Sequence, residues 1–275
     1  MMIGYISKAL AYENYLISAK DKVLCQIGCS DRDENVCAWN PHLLNCGICD
    51  KELTFLMQII KNVAETTTLI FYVFFCANFE TKCALTVRGW RVLRNSSNVF
   101  VGYMKFPKHL PATGITFKKI ERGTGNKINS SSKEYLLLCK YNQRNGDDDA
   151  DEWAADDGDK GWVGEMYERD KYKKFIKLQD EIAKDPKQVI RCTDKPLLIH
   201  ELPQLPNCPD CSSQLCFAFQ LLPTLGYHLS KRYNLTEYQT DVLCNNLLVF
   251  SCPNFCTGGG ADEIVHEFTV LQMEF

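Results

Sequence analysis

Two stretches of alternating apolar and polar residues stand out, each following a Cys-x-x-Cys pair. After Cys46-Gly-Ile-Cys49 the apolar positions are Leu53, Phe55 and Met57, with Gln58 beside them. After Cys208-Pro-Asp-Cys211 they are Phe217, Phe219 and Leu221, with Gln220 among them. Successive strand side chains point to opposite faces, so this alternation predicts strands with one face in a core. The most apolar run, Leu69 to Ala77, has nine residues, far short of the about 20 that a membrane-spanning helix needs. Its β-branched and aromatic content predicts a buried strand. Further on, Tyr172, Phe175, Leu178 and Ile182, with Gln179 among them, place mostly apolar groups on one side at helical spacing. That predicts a helix from Glu165 to Lys184, ended by Asp185-Pro186.

The two alternating stretches belong to a longer ordered series. Each glutamine lies nine residues after the second cysteine of its pair. Val73-Phe74-Phe75-Cys76 is matched by Val249-Phe250-Ser251-Cys252, and a further cysteine follows each, Cys83 and Cys256. Trp90-Arg91-Val92-Leu93 is then matched by Phe268-Thr269-Val270-Leu271. The same order of elements occurring twice along the chain implies an ancestral duplication. The expected fold is α+β and mainly antiparallel β, with two related β-rich halves. The expected divisions are an N-terminal half over 1–94, an irregular linker over 95–160 and a C-terminal domain with the helix over 161–275. Turn-formers Pro107, Pro111, Gly114, Gly123 and Gly125 mark the linker as irregular.

The 15 cysteines change this picture most. An odd number excludes complete internal disulfide pairing. The opening segment, MMIGYISKAL, lacks the charged start, long apolar stretch and cleavage site of a secretory signal. The chain is therefore expected in the cytoplasm, with the nucleus as a further place, where thiols stay reduced and clustered cysteines read as metal ligands. Structural zinc takes four ligands in a tetrahedron, often all thiolates. The C-terminal candidate set is Cys208, Cys211, Cys252 and Cys256. The N-terminal set is Cys46, Cys49, Cys76 and Cys83; six residues separate its last two members, so Glu80 or His42 is an alternative fourth ligand. Two zinc ions are the expected cofactor. Buried thiols and a redox pair are the competing readings. A third site from Cys25, Cys29, Cys37 and His42 is a lesser candidate, and Cys139, Cys192, Cys216 and Cys244 are read as core residues.

These residues resemble the programmed cell death protein 2 family, which includes the programmed-cell-death-2-like proteins and a related yeast ribosome-maturation factor. The resemblance rests on Cys208-Pro-x-Cys, FAFQLLPTL, LLVFSCPNFC and HEFTVLQ in the C-terminal part, and on GEMYERDKYKKFIKLQ and DPKQVIRCTDKPLLI before them. LNCGICDKELTFLMQI, FYVFFCA, GWRVLRN and the opening IGYISKAL carry it in the N-terminal half. DENVCAWNPH keeps Trp39 but not the family's Gly-Gly-x-Pro-x-Trp element, and no additional MYND-type finger lies between the halves. The resemblance implies a pair of β-rich halves, no catalytic residues, and a cytoplasmic escort for a newly made basic protein of the small (40S) ribosomal subunit. Such an escort supports subunit assembly and rRNA maturation.

The net charge of −3 argues against a phosphate-neutralising nucleic-acid binder, and no direct RNA contact is expected. Residues 147–159 hold eight acids and no base. A cluster of that kind steers a cationic partner, although a solvated loop shows the same composition. Asp147, Asp148, Asp149, Trp153 and Trp162 are the partner-binding candidates on this reading, and an unpaired strand edge would be a second holding device. Gln58 and Gln220 read as side chains that satisfy buried backbone near the knuckles, and Trp39 and Trp90 as core. No G-x-S-x-G, H-E-x-x-H or phosphate-loop pattern occurs, and the five histidines form no ligand-spaced pair. An all-cysteine zinc site has no open position for water, so the chain is not expected to be an enzyme. It is expected to be a monomer apart from its client. The alternative function is a zinc-dependent interaction adaptor in transcription or in cell-death or proliferation control.

Overall fold

The computed structural model describes residues 2–6, 24–27, 41–64, 67–95, 113–119, 162–257 and 264–273. Trp39, Cys29, Cys37, Cys139, Asp147, Asp148, Asp149, Trp153 and the triple glycine at 258–260 lie outside these residues, as do the side chains of Cys25, His42, Trp162 and Tyr172.

The strands are β1 (Met2–Ile6), β2 (Leu24–Ile27), β3 (Thr54–Ala64), β4 (Thr67–Phe75), β5 (Trp90–Asn95) and β6 (Thr113–Lys119), followed by β7 (Gln188–Cys192), β8 (Cys216–Leu221), β9 (Asn246–Ser251), β10 (Ile264–His266) and β11 (Phe268–Gln272). The helices are α1 (Trp162–Lys184), α2 (Thr224–Ser230) and α3 (Glu237–Leu243). The expected buried strand at Leu69 is β4, and the expected helix is α1, which begins at Trp162 rather than Glu165. Along α1 Leu178 is buried, Phe175 and Ile182 are half-buried, and Gln179 is exposed. The stretch read as an irregular linker contains β6, with Ile115 buried between turn-formers.

All the strands form one sheet in the order β10-β5-β4-β3-β2-β6-β1-β7-β8-β9-β11, and every pairing between them is antiparallel. β10 and β11 stand at opposite ends of that order, yet only Glu267 separates them in the chain. His266 pairs with Leu93 of β5, Phe268 pairs with Phe250 of β9, and the Glu267 N–H donates to the Val92 carbonyl at 2.9 Å. The sheet therefore curls until its two ends meet in one segment. Edge strands expose unpaired backbone groups, and here the two edge strands are consecutive parts of one segment.

The chain divides into two compact units. One combines Met1–Ile120, Lys187–Pro196 and Leu202–Phe275, and holds the whole sheet with α2 and α3. The other, Glu121–Pro186 with Leu197–Glu201, holds α1. In the sheet unit, residues from both ends of the sequence share one core. Phe71 of β4 meets Phe219 of β8 edge to face with ring centroids 5.3 Å apart, and Ile27, Val92, Leu247 and Val249 join the same cluster. Each such aromatic or aliphatic side chain contributes about 1.5–3 kcal/mol when fully buried.

Two three-stranded segments of the sheet repeat each other's register. β3 and β4 pair Phe55 with Phe74, and β8 and β9 pair Phe217 with Phe250. Both ladders shift register at the next step, between Phe55 and Met57 and between Phe217 and Phe219. The paired rings lie 5.6 Å and 6.0 Å apart, edge to face in both places. At the third strand the structure differs from the sequence alignment by one residue. Val73 pairs with Val92, whereas Val249 pairs with Thr269, so Val92 corresponds to Thr269 and not to Val270. A one-residue slip turns every side chain to the other face. The hydrogen-bond register therefore overrules a match of letters.

Candidate metal centres

Each Cys-x-x-Cys pair sits on a tight turn closed by the same bonds. Asn45 bridges Glu52, the Cys46 N–H donates to the Lys51 carbonyl at 2.8 Å, and the Asp50 N–H donates to the Cys46 carbonyl at 3.0 Å. In the second knuckle Asn207 bridges Gln214, and the Cys208 and Ser212 N–H groups donate to the Ser213 and Cys208 carbonyls at 2.8 Å and 2.9 Å. Asp50 and Ser212, each directly after a second cysteine, have φ of 56° and 57°. Lys82 and Phe255, each directly before a last cysteine, have φ of 48° and 55°. Among the described residues no other non-glycine position has positive φ. The left-handed conformation costs a side-chain-bearing residue about 1–2 kcal/mol. It is found where thiols must be turned inward, which points to what the turns hold.

The remaining cysteines of each set arrive from a strand end. β4 delivers Cys76, whose N–H donates to the Gly89 carbonyl at 2.8 Å, and β9 delivers Cys252. Cys46, Cys49, Cys76 and Cys83 bring their sulfur atoms within 4.8 Å of one another, and so do Cys208, Cys211, Cys252 and Cys256. Cys49 and Cys76 Sγ are 3.6 Å apart, Cys211 and Cys252 Sγ 3.4 Å, and Cys252 and Cys256 Sγ 3.7 Å. A disulfide needs about 2.05 Å between sulfurs. A tetrahedron with metal–sulfur bonds of about 2.3 Å has edges of about 3.8 Å. The donor set and its spacing therefore fit a tetrahedral metal ion such as zinc. Cys83 completes the first set despite its long spacing. Glu80 instead approaches Lys51 at 3.7 Å on the surface.

The electrostatics agree with this donor set. Hydrogen bonds from the Ser213 side chain and backbone, then from the Asn254 amide, bring the Cys211 thiol down to about 5. Cys49 falls to about 6: partial burial opposes ionisation, and hydrogen bonds from the Lys51 backbone and the Asn78 side chain outweigh it. Burial pushes Cys76 up, with repulsion from Cys46 added. A hydrogen bond with Cys211, then burial, pushes Cys256 up to about 12. Four thiols at this spacing cannot all ionise alone, and a divalent cation removes the conflict.

Side chains remote in sequence clasp both centres. The Arg94 side chain, buried in β5, donates from Nη2 to the Cys256 carbonyl at 2.6 Å and from Nη1 to the Phe255 carbonyl at 3.4 Å. It also pairs with Glu267, which accepts from the Ser251 hydroxyl at 2.9 Å. Conversely, the Tyr238 hydroxyl of α3 donates to the Cys76 carbonyl at 3.3 Å and accepts from the Ala84 N–H at 3.1 Å. Arg94 and Tyr238 escaped the sequence reading, because neither lies near a cysteine of the set it supports. Trp90 is buried as expected and donates from Nε1 to the Ala84 carbonyl at 2.8 Å. Gln220 is buried and donates to the Asn246 side chain. Cys192 and Cys244 are half-buried, while Cys216 is exposed, against the expectation of a core place.

Residues 172–273 match the family model described as "Programmed cell death protein 2, C-terminal putative domain". The chain is 30% identical over 151 residues to the Homo sapiens protein named Programmed cell death protein 2-like, a match covering 50% of this chain and 40% of that protein. The match thus spans about two fifths of that relative's length. No solved structure matches the chain.

Proposed function

This chain carries the C-terminal domain of the programmed cell death protein 2 family, and from that premise we propose that it is a cytoplasmic escort for a newly synthesised 40S ribosomal protein. It keeps that client soluble and thereby supports small-subunit assembly and rRNA maturation. Its two halves descend from one duplicated unit, and each holds a zinc ion through four thiolates. The observation that carries the holding role is the pair of four-thiol clusters with equivalent turns. Four protein ligands leave no coordination position for water or substrate. Metal in such a site would order the polypeptide around it, and the work left for the protein is binding. Eight acids at 147–159 add attraction for a basic client, since clustered charge speeds encounter with an oppositely charged partner.

The test is mass spectrometry of proteins that co-purify with the chain, under native conditions, from actively translating cells. One stoichiometric small-subunit ribosomal protein is expected, and depletion of the chain should lower free 40S subunits. Many unrelated partners with an unchanged subunit ratio would instead identify an interaction adaptor in transcription or in cell-death or proliferation control. Binding to bare RNA with a steep salt dependence would reject both readings.

A further inference from the structure

A cavity of about 600 Å³ opens where β11 parts from β5. As far as Glu267 the C-terminal segment follows β5; from Phe268 onward it follows β9. The separation leaves one edge of β11 facing the cavity, which Thr269 lines. Backbone donors alternate from side to side along a strand. The Glu267 N–H points at Val92 of β5, so the Thr269 N–H points the same way, into the cleft, and the Leu271 N–H lies on the same edge of β11. Among the described residues β11 has β9 as its strand neighbour and none on that other edge.

Val87, Trp90, Leu215 and Phe268 give the cleft an apolar lining, Arg88 and Arg91 line it on the β5 side, and Asp210 lines it from the second knuckle beside Cys208, Cys252 and Cys256. Arg88 is exposed, donates to the Gly47 carbonyl at 3.2 Å, and has no carboxylate partner among the described residues. The loops of the first cysteine set carry exposed apolar side chains: Ile48, Phe79 and Val87 are 46%, 66% and 39% exposed, and Val87 lines the cleft. At the place equivalent to Ile48, the second knuckle carries Asp210. A purely structural knuckle has no use for this difference, whereas apolar groups at a rim favour contact with another chain.

We propose that this cleft receives an extended segment of a partner polypeptide, which adds to the β11 edge, seats an apolar side chain against Trp90 and Phe268, and sets a carboxylate against Arg88. Strand addition supplies backbone hydrogen bonds, while the cavity and the arginine select the side chains. The proposal deepens the reading of this protein as a holder of polypeptides and rests on it.

The probe is a capped heptapeptide of alternating valine and threonine with a central tryptophan and one flanking glutamate. It is titrated into the full chain and followed by amide NMR. The expected result is movement of the Thr269 and Leu271 amides and of the Trp90 indole N–H. The lysine-for-glutamate peptide should bind about tenfold more weakly, a difference of about 1.4 kcal/mol, and Arg88→Glu should reverse the order. No binding, perturbation elsewhere, or equal affinity for the two peptides overturns the proposal. So does a concentration-dependent dimer that moves the same amides without peptide, because the edge then belongs to a second copy. Thr269→Pro, which removes one edge donor, should abolish peptide binding while the core aromatic resonances keep their positions. In cells, a client retained equally by wild type, Arg88→Glu and Thr269→Pro leaves the escort reading standing and rejects the cleft. Peptide binding as described with no ribosomal client leaves the cleft standing and rejects the escort reading.

Discussion

Arg94 and Glu267 form an ion pair whose side chains are 0% and 3% exposed, and its removal from one side leaves a buried charge without its partner. Arg94→Met is expected to cost about 3–5 kcal/mol, read as a lowered urea midpoint at unchanged slope. Adding Glu267→Leu should recover part of that loss, because the uncompensated carboxylate goes with it. Cys192 makes a different test. Burial pushes its thiol up to about 11, against the pull of Lys61. A raised folded-state value means that its contribution is full below the ordinary value of 9.0 and is lost as pH rises through 11. The stability difference between wild type and Cys192→Val should therefore stay constant up to pH 8 and turn against wild type between pH 9 and 11. Unfolding series at those pH values measure it, and the metal centres cancel in the difference.

The turns that carry the cysteines depend on backbone geometry as much as on sulfur. Gly89 lies in the 3-10 turn Val87–Gly89, which feeds β5. A Cβ there would lie 2.2 Å from the Cys83 carbonyl oxygen and 2.6 Å from the Ala84 nitrogen. Those are backbone atoms and cannot swing aside, so Gly89→Ala must displace the turn that presents Cys83. Of the two ions that the four-thiol sets can hold, one should be missing from the purified variant and the other retained; elemental analysis at two ions per chain would refute this. Tyr238→Phe tests the clasp on the same turn from the far half of the sequence. It deletes the bonds to Cys76 and Ala84, and a loss of about 1 kcal/mol is expected. Chelator should then strip the first centre faster than the second.

Removal of metal from the four-thiol sets is expected to act on the entire sheet unit, because each set ties a knuckle to a strand end and the two strand systems share one core. Binding in small zinc modules contributes about 10–16 kcal/mol per ion, as much as the about 5–15 kcal/mol by which a typical domain is stable. A strong chelator under reducing conditions should abolish the cooperative thermal transition, and zinc should restore it. A transition unmoved by chelator would remove metal from the account of this fold. Curling of the sheet also alters the holding device expected from sequence. Of the edges that an open sheet would offer, β10 keeps its partner β5 and β11 keeps β9. Among the described residues the proposed holding edge is that of β11 at the cleft.

The residues themselves decided which elements form and which thiols could meet. Alternation after each Cys-x-x-Cys pair marked β3 and β8, the apolar run marked β4, helical spacing marked α1, and cysteine spacing marked both four-thiol sets, because these signals are local or repeat along the chain. Tertiary structure alone decided that one strand segment closes the sheet at Glu267, that β6 exists within a stretch rich in turn-formers, and that Val92 corresponds to Thr269. It also alone placed Arg94 and Tyr238 against cysteines of the four-thiol sets more than 150 residues away. Strand pairing and side-chain clasps join positions far apart in sequence, and their partners are chosen by backbone hydrogen bonds and shared burial. A linear pattern of residue types carries no record of that choice.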